Sequence, residues 1–180
     1  MKRATRCVAI KASSALLLAG FASGTLFVAS AAAATGDGAR RAAAAPCTSS
    51  QVAATSAQPT GSAQVRITVT NKSAKPCVLK GFPTVALAGQ GSPDKNKPLR
   101  VIRVGTSGPV QLAAGGRASA QLTFTPVLGE ADGYCASGAD PFVAPSMVVG
   151  VAGGRQQLAP DDGSEFALCG STVRATAFRG

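Results

Sequence analysis

Residues Gln64 to Leu87 constrain the fold of this 180-residue chain more than any other stretch. Val65, Ile67 and Val69 alternate with Arg66, Thr68 and Thr70, the period-two pattern of a strand with one face on a core and the other in water. The next six residues, Asn71-Lys-Ser-Ala-Lys-Pro76, are turn chemistry: Asn71 tolerates a left-handed backbone, Ser73 bonds locally, and Pro76 stops a strand from continuing. Cys77 and Leu79 then open a second strand that breaks at Gly81 and Pro83 and resumes with Val85 and Leu87. The pattern predicts a hairpin whose return strand begins on a cysteine, an anchor for a disulfide-stapled sandwich.

The N-terminal segment has a different character. Lys2, Arg3, Arg6 and Lys11 precede an uncharged run from Ala12 to Ala34 that ends in small residues suited to signal peptidase. We therefore expect residues 1–34 to be a signal peptide, 35–46 a flexible linker and 47–180 a secreted domain. The run is long enough to span a bilayer, but it ends in an Ala-x-Ala site rather than a basic stop. Leu18-Ala19-Gly20 is followed by Phe21, not by the cysteine a lipoprotein needs, and Cys7 leaves with the leader.

Four cysteines remain: Cys47, Cys77, Cys135 and Cys169. An even number in an exported chain of this size reads as two disulfides, with three connectivities to choose from. The expectation is sequential pairing, Cys47 with Cys77 and Cys135 with Cys169. Each bridge then closes a loop of about 30 to 35 residues and contributes roughly 3 to 4 kcal/mol on the chain-entropy model. That contribution matters, because only 31 of residues 47–180 are large apolar side chains and much of the remaining hydrophobicity is alanine. Zinc is not expected: the chain has no His and no close Cys pair.

The rest of the chain reads as short strands and turns. Thr48 to Ser56 is a weak first strand, Gly89 to Pro98 a polar loop, and Leu99 to Val104 and Pro109 to Leu112 short strands. After the turn at Ala113 to Arg117, Ala118, Ala120, Leu122 and Phe124 share a face. Pro126 to Pro141 is irregular, Phe142 to Val151 is a strand region interrupted by Pro145, and Gly153-Gly154 turns into a strand at Gln156 to Ala159. Asp161 to Ser164 is a turn, followed by strands at Phe166 to Cys169 and Thr172 to Phe178. No segment after the leader shows helical periodicity. The fold expected is all-β: an immunoglobulin-like antiparallel sandwich of seven to nine short strands with two disulfides.

Several landmarks occur together. The Thr70-Asn71-x-Ser73 turn, the run Cys77-x-Leu79-x-Gly81-Phe82-Pro83-x-Val85, the Leu112-x-x-Gly115-Gly116-x-Ala118 turn and the later Cys135 resemble a secreted family of actinomycetes, the domain of unknown function numbered four-two-three-two. The Cys-x-Leu-x-Gly-Phe-Pro run is the most specific part, and Ala114 stands where that family often has Pro. The resemblance covers about residues 47 to 180. It implies an exported, immunoglobulin-like sandwich with paired cysteines, and it implies no activity and no catalytic residues.

The residues themselves are short of catalytic chemistry. Without His, a Ser or Cys nucleophile lacks its usual base, and Ser73 with Lys72 or Lys75 lies in an ordinary turn. Glu130, Asp132, Asp140, Asp161, Asp162 and Glu165 are carboxylates in turn-like settings, and Asp161 to Glu165 lacks the spacing of a calcium loop. Asn71-Lys72-Ser73 matches a glycosylation triplet, a short pattern that arises readily by chance. With one Tyr and no Trp, a sugar-stacking platform of the usual kind is not expected. We expect no enzyme, no cofactor and no metal.

Residues 47–180 carry twelve Lys and Arg against seven Asp and Glu, a net charge of +5. Lys72, Lys75, Lys80, Lys95, Lys97, Arg100 and Arg103 fall close together in sequence and are the candidate patch for an anionic partner, such as a wall polymer or an extracellular protein. The plainer account is a solvated face with lysines guarding strand edges. Nucleic acid is not expected, because no aromatic residues interleave with the basic ones, and neither is a membrane once the leader is cleaved. The function expected is a non-catalytic binding or structural module of the cell envelope or medium. The alternative is a protease inhibitor presenting a disulfide-held loop at Tyr134-Cys135-Ala136-Ser137.

Overall fold

A computed structural model describes residues 44–129 and 133–180. The expected leader, most of the linker, and Glu130 and Asp132 lie outside the described residues. Thirteen strands follow in order: β1 (Val52–Gly61), β2 (Gln64–Asn71), β3 (Cys77–Leu79), β4 (Thr84–Ala88), β5 (Asn96–Pro98), β6 (Arg100–Val104), β7 (Val110–Leu112), β8 (Arg117–Phe124), β9 (Phe142–Ala144), β10 (Ser146–Val151), β11 (Gly154–Leu158), β12 (Phe166–Leu168) and β13 (Thr172–Thr176). A five-stranded sheet in the order β1-β2-β8-β13-β6 faces a four-stranded sheet in the order β11-β10-β4-β5. Two short ribbons, β3 with β7 and β9 with β12, complete the all-β fold.

Alternation builds the core. Val65, Ile67 and Val69 of β2, Ala118, Ala120, Leu122 and Phe124 of β8, and Val173 and Ala175 of β13 are all buried. Across from them lie Val85 and Leu87 of β4 and Met147, Val149 and Val151 of β10, in one continuous cluster. Burying one such Leu, Val or Met contributes about 1.5 to 3 kcal/mol. The disulfides are Cys47–Cys77 and Cys135–Cys169, the sequential pairing, with separations of 30 and 34 residues.

The expected hairpin of β2 with β3 does not form. β2 pairs with β1 and β8, while β3 pairs with β7 through Cys77↔Leu112, Val78↔Gln111 and Leu79↔Val110. The cause is Asn71, which is fully buried and does not use the left-handed backbone that asparagine tolerates. Its Nδ2 donates to the carbonyls of Lys75 (2.8 Å), Ala113 (3.1 Å) and Leu112 (3.2 Å). Its Oδ1 accepts from the Ser73 hydroxyl (2.8 Å) and amide (3.0 Å). The Asn71 backbone meets the Gly115-Gly116 turn as well, through Asn71 N–H to Gly116 O and Gly115 N–H to Asn71 O, both 2.9 Å. A Cβ at Gly116 would stand 2.9 Å from the Ala113 amide nitrogen and carbonyl oxygen, so only glycine closes this turn. The chain is thereby steered out of the first sheet, and Pro76, which has no amide proton, cannot return it.

The two seams between the sheets are closed differently. On one side the chain itself crosses: β5 pairs with β4, buried Leu99 donates to Val85 O (2.9 Å), and Arg100 N–H turns to Ser171 O (2.8 Å) as β6 joins β13 in the one parallel pairing among the strands. The Gly89–Pro98 stretch, expected to be all loop, thus ends in an edge strand. On the other side, side chains replace a strand. The Gln156 amide of β11 accepts from Ala54 N–H and donates to Val52 O (3.2 Å), while Asp161 accepts from Ala57 N–H (3.0 Å) and the Ser56 hydroxyl. Asp161 N–H also donates to Ala57 O (3.0 Å).

These crossings and the break at Pro145 divide strands that would otherwise be continuous, which is why thirteen short strands replace the seven to nine expected. Both ends of the first strand also move. β1 starts at Val52, after a turn in which Gln51 and Val52 N–H both reach Thr48 O, and runs on through Pro59, which an edge strand tolerates. Ahead of β1, the Ala45 carbonyl accepts from Val78 N–H (2.8 Å).

Replacing Asn71→Ala strips partners from several buried backbone groups, and we expect a loss of about 3 kcal/mol. Urea denaturation with the disulfides intact measures it; a loss under about 1 kcal/mol, the size of one ordinary hydrogen bond, contradicts the role given to Asn71.

Candidate anion-binding surface

The outer face of the five-stranded sheet follows from the same alternation that builds the core. With Val65 and Ile67 inward, Arg66 and Thr68 face outward; with Ala118 to Phe124 inward, Arg117, Ser119, Gln121 and Thr123 face outward. Val173 and Ala175 turn Arg174 to the same side, and the parallel register Thr172↔Arg100 and Arg174↔Ile102 adds Arg100 and the exposed Ile102. Register fixes the spacing: Arg66 lies opposite Gln121, Arg174 opposite Thr123, and Arg117 opposite Thr70. At about 4.8 Å between strands and 3.4 Å per residue, the arginines on this face are roughly 8 to 14 Å from their nearest neighbours.

Two compositional facts distinguish this face. None of the five strands contains Asp or Glu, and every cation on them is Arg rather than Lys. Thr, Ser and Gln fill the space between, locked by Thr55–Thr70 (3.0 Å), Gln121 to Thr60 (2.8 Å) and Gln121 N–H to Thr176 (2.9 Å). A planar guanidinium binds phosphate or carboxylate in a bidentate manner, which an ammonium cannot do.

The seven residues expected to form one basic patch are all exposed, but they fall in four settings. Lys72 and Lys75 are in the turn after β2. Lys80 and Arg103 lie about Phe82, with the Arg103 guanidinium 5.5 Å from the ring centroid. Lys95 and Lys97 flank the start of β5, and the Lys97 ammonium stands 4.4 Å from the Phe142 centroid. Arg100 alone belongs to the arginine face. Closeness in sequence was the misleading signal, since the chain changes sheets at Leu99.

A family model described as Domain of unknown function (DUF4232) matches residues 47–179. The chain belongs to this family. No curated protein matches it. The most specific motif of the DUF4232 resemblance, Cys77 to Pro83, has a structural account here: Cys77 and Leu79 point into the core, Gly81 takes φ +112°, and Pro83 is buried.

Among the described carboxylates of this DUF4232 domain, Asp161, Asp162 and Asp140 are structural or lie in a separate cleft. Asp161 spends both oxygens on β1. Asp162 accepts from the Ser164 amide (3.0 Å), and its carboxyl is held below the ordinary aspartate range, first by the Ser164 hydroxyl and then by that amide. Asp140 lies beside Lys97 and Phe142 in a separate surface cleft. Asn71, the asparagine of the glycosylation triplet, has its amide nitrogen buried against three carbonyls. Around Cys135, Gly138 N–H closes a tight turn on Cys135 O (2.8 Å), and Tyr134 exchanges both backbone bonds with Leu128 (2.8 and 2.9 Å). The segment Tyr134 to Ser137 is therefore a bridge and a turn, not an extended strand.

Because the folded-state pKa of Asp162 is depressed, its contribution to stability is present above the unfolded aspartate pKa and disappears as pH falls through the lower folded value. The variant Ser164→Ala removes the leading cause, so NMR titration of the Asp162 carboxyl should show its pKa rising toward the ordinary value; an unchanged pKa contradicts the assignment.

Proposed function

We propose that this domain is an exported, non-catalytic binding module that holds an anionic polymer of the cell envelope against the outer face of its five-stranded sheet. The observation that carries this reading is the outward set Arg66, Arg100, Arg117 and Arg174 on strands free of Asp and Glu. A face that serves solubility alone normally mixes both signs of charge. A face of one sign, spread evenly over a rigid sheet, suits a repeating polyanion, whose successive charges each find a guanidinium while the hydroxyls and amides between them supply weaker bonds.

Two disulfides support the reading from another direction, since they are consistent with an oxidising, extracellular compartment. Affinity built from exposed charges is modest at each contact and gains from multivalency. It is also screened by salt.

The test uses inorganic polyphosphate as a defined polyanion. We expect binding at about 50 mM salt that weakens steeply toward about 500 mM. The triple variant Arg66→Gln, Arg117→Gln, Arg174→Gln should lower affinity roughly thirty-fold, about 2 kcal/mol. The paired control Lys72→Gln, Lys75→Gln, which also removes positive charge, should lower it much less. Equal losses in both variants, or binding indifferent to salt, contradict the proposal.

A further inference from the structure

At one end of the sandwich the DUF4232 motif builds a cleft that the polymer-binding face does not use. It lies between the segment that follows β3, the β10–β11 turn at Ala152-Gly153, and Phe178. Gly81 adopts φ +112°, a conformation that side chains other than glycine rarely take. Its amide donates to the Ser107 hydroxyl (2.8 Å) and its carbonyl accepts from Phe178 N–H (3.1 Å). Both bonds fix the next residue, Phe82, whose half-buried ring forms one wall beside buried Phe178.

The cations around this wall come from distant parts of the chain. Lys80 and Arg155, both exposed, line the cleft, and Arg103 lies over the Phe82 ring. Among the described residues no carboxylate lines it. The remaining boundary is mostly backbone and small side chains, including Gly150 and Gly153, so none of the described residues sets a counter-charge against these cations in the cleft. Its volume is about 250 Å³, below the usual range of roughly 300 to 1,000 Å³ for ligand pockets, which suits one ring rather than a chain of them.

From this geometry we infer a second binding site, for a single acidic sugar unit: a pyranose-sized ring that bears one carboxylate or phosphate. The apolar C–H face of the ring packs against the side of Phe82 that lines the cleft, away from Arg103, and its anionic group reaches Lys80 and Arg155. Phe82 supplies shape and apolar area, and the two cations supply the selection against neutral sugars. The adjoining cleft of about 400 Å³ shares Thr84, Gly150 and Arg155, and gives the rest of a larger ligand a place to lie.

The site is tested by NMR titration of the folded, disulfide-bonded protein with glucuronate, glucose 6-phosphate, glucose and inorganic phosphate. We expect glucuronate or glucose 6-phosphate to saturate and to shift the Phe82 ring signals, with glucose inert and inorganic phosphate about tenfold weaker or worse. Lys80→Gln and Arg155→Gln should each weaken the acidic sugar by about tenfold, Phe82→Leu should weaken it also, and the Arg66, Arg117, Arg174 triple variant should leave it unchanged. That last arm separates this site from the polymer-binding face, whose failure would not touch it. Absence of saturation by either acidic sugar overturns the inference, as does inorganic phosphate binding as tightly as the sugar phosphate, which marks an adventitious ion only. Unchanged affinity in Phe82→Leu overturns the stacking role.

Discussion

The buried amide of Asn71 is the interaction on which the rest of the structure depends. Two N–H bonds shared among three carbonyls, together with two bonds accepted from Ser73, hold the end of β2 against the turn that leads into β8. Neighbouring strands of the five-stranded sheet are thus fixed to each other at one end, while the chain is released toward the ribbon that contains Cys77. The Cys47–Cys77 bridge then ties the start of the domain to that ribbon. A buried polar group is tolerated here because all of its capacity is used; half-satisfied, it would destabilise the core it organises.

Closure of the seams turns two sheets into a scaffold rigid enough to present a surface. The strand crossing at Leu99 joins them covalently on one side, and Gln156 with Asp161 covers the open edge of β1 on the other. An uncovered β1 would leave a row of amides and carbonyls free to pair with another chain. Here side chains occupy part of that row, so the flat faces rather than the edges are left for recognition. The same geometry separates the two proposed anion sites: the arginine face is broad and open, and the Phe82 cleft is small and lies at the end of the sandwich.

Much of the fold is legible in the sequence wherever one face meets the core and the other meets water. Gln64 to Thr70, Ala118 to Phe124 and Thr172 to Thr176 announce themselves by alternation, and the cysteine spacing matches the bridges found. The DUF4232 resemblance, carried by Cys77 to Pro83, agrees with the family match. What stays hidden depends on contacts distant in sequence. Gln156 reaches β1 residues about a hundred positions earlier, and no local pattern marks a glutamine that will act as a strand. The arginine face is hidden for the same reason, since Arg66, Arg117 and Arg174 become neighbours only through the strand order β2-β8-β13. The turn after β2 is a subtler case: Asn71 has the right residue type for a turn, but its burial, which redirects the chain, depends on a glycine pair more than forty residues away.

If the outer face of the five-stranded sheet is where a polyanion docks, a map of the contact will show it. Backbone amide shifts of the isotopically labelled protein, followed as a short polyphosphate is added, report position independently of affinity. We expect the perturbed amides to cluster on β2, β8 and β13 around Arg66, Arg117 and Arg174. Shifts confined to the Lys72–Lys75 turn or to β5 around Lys97, with the three central strands silent, contradict it.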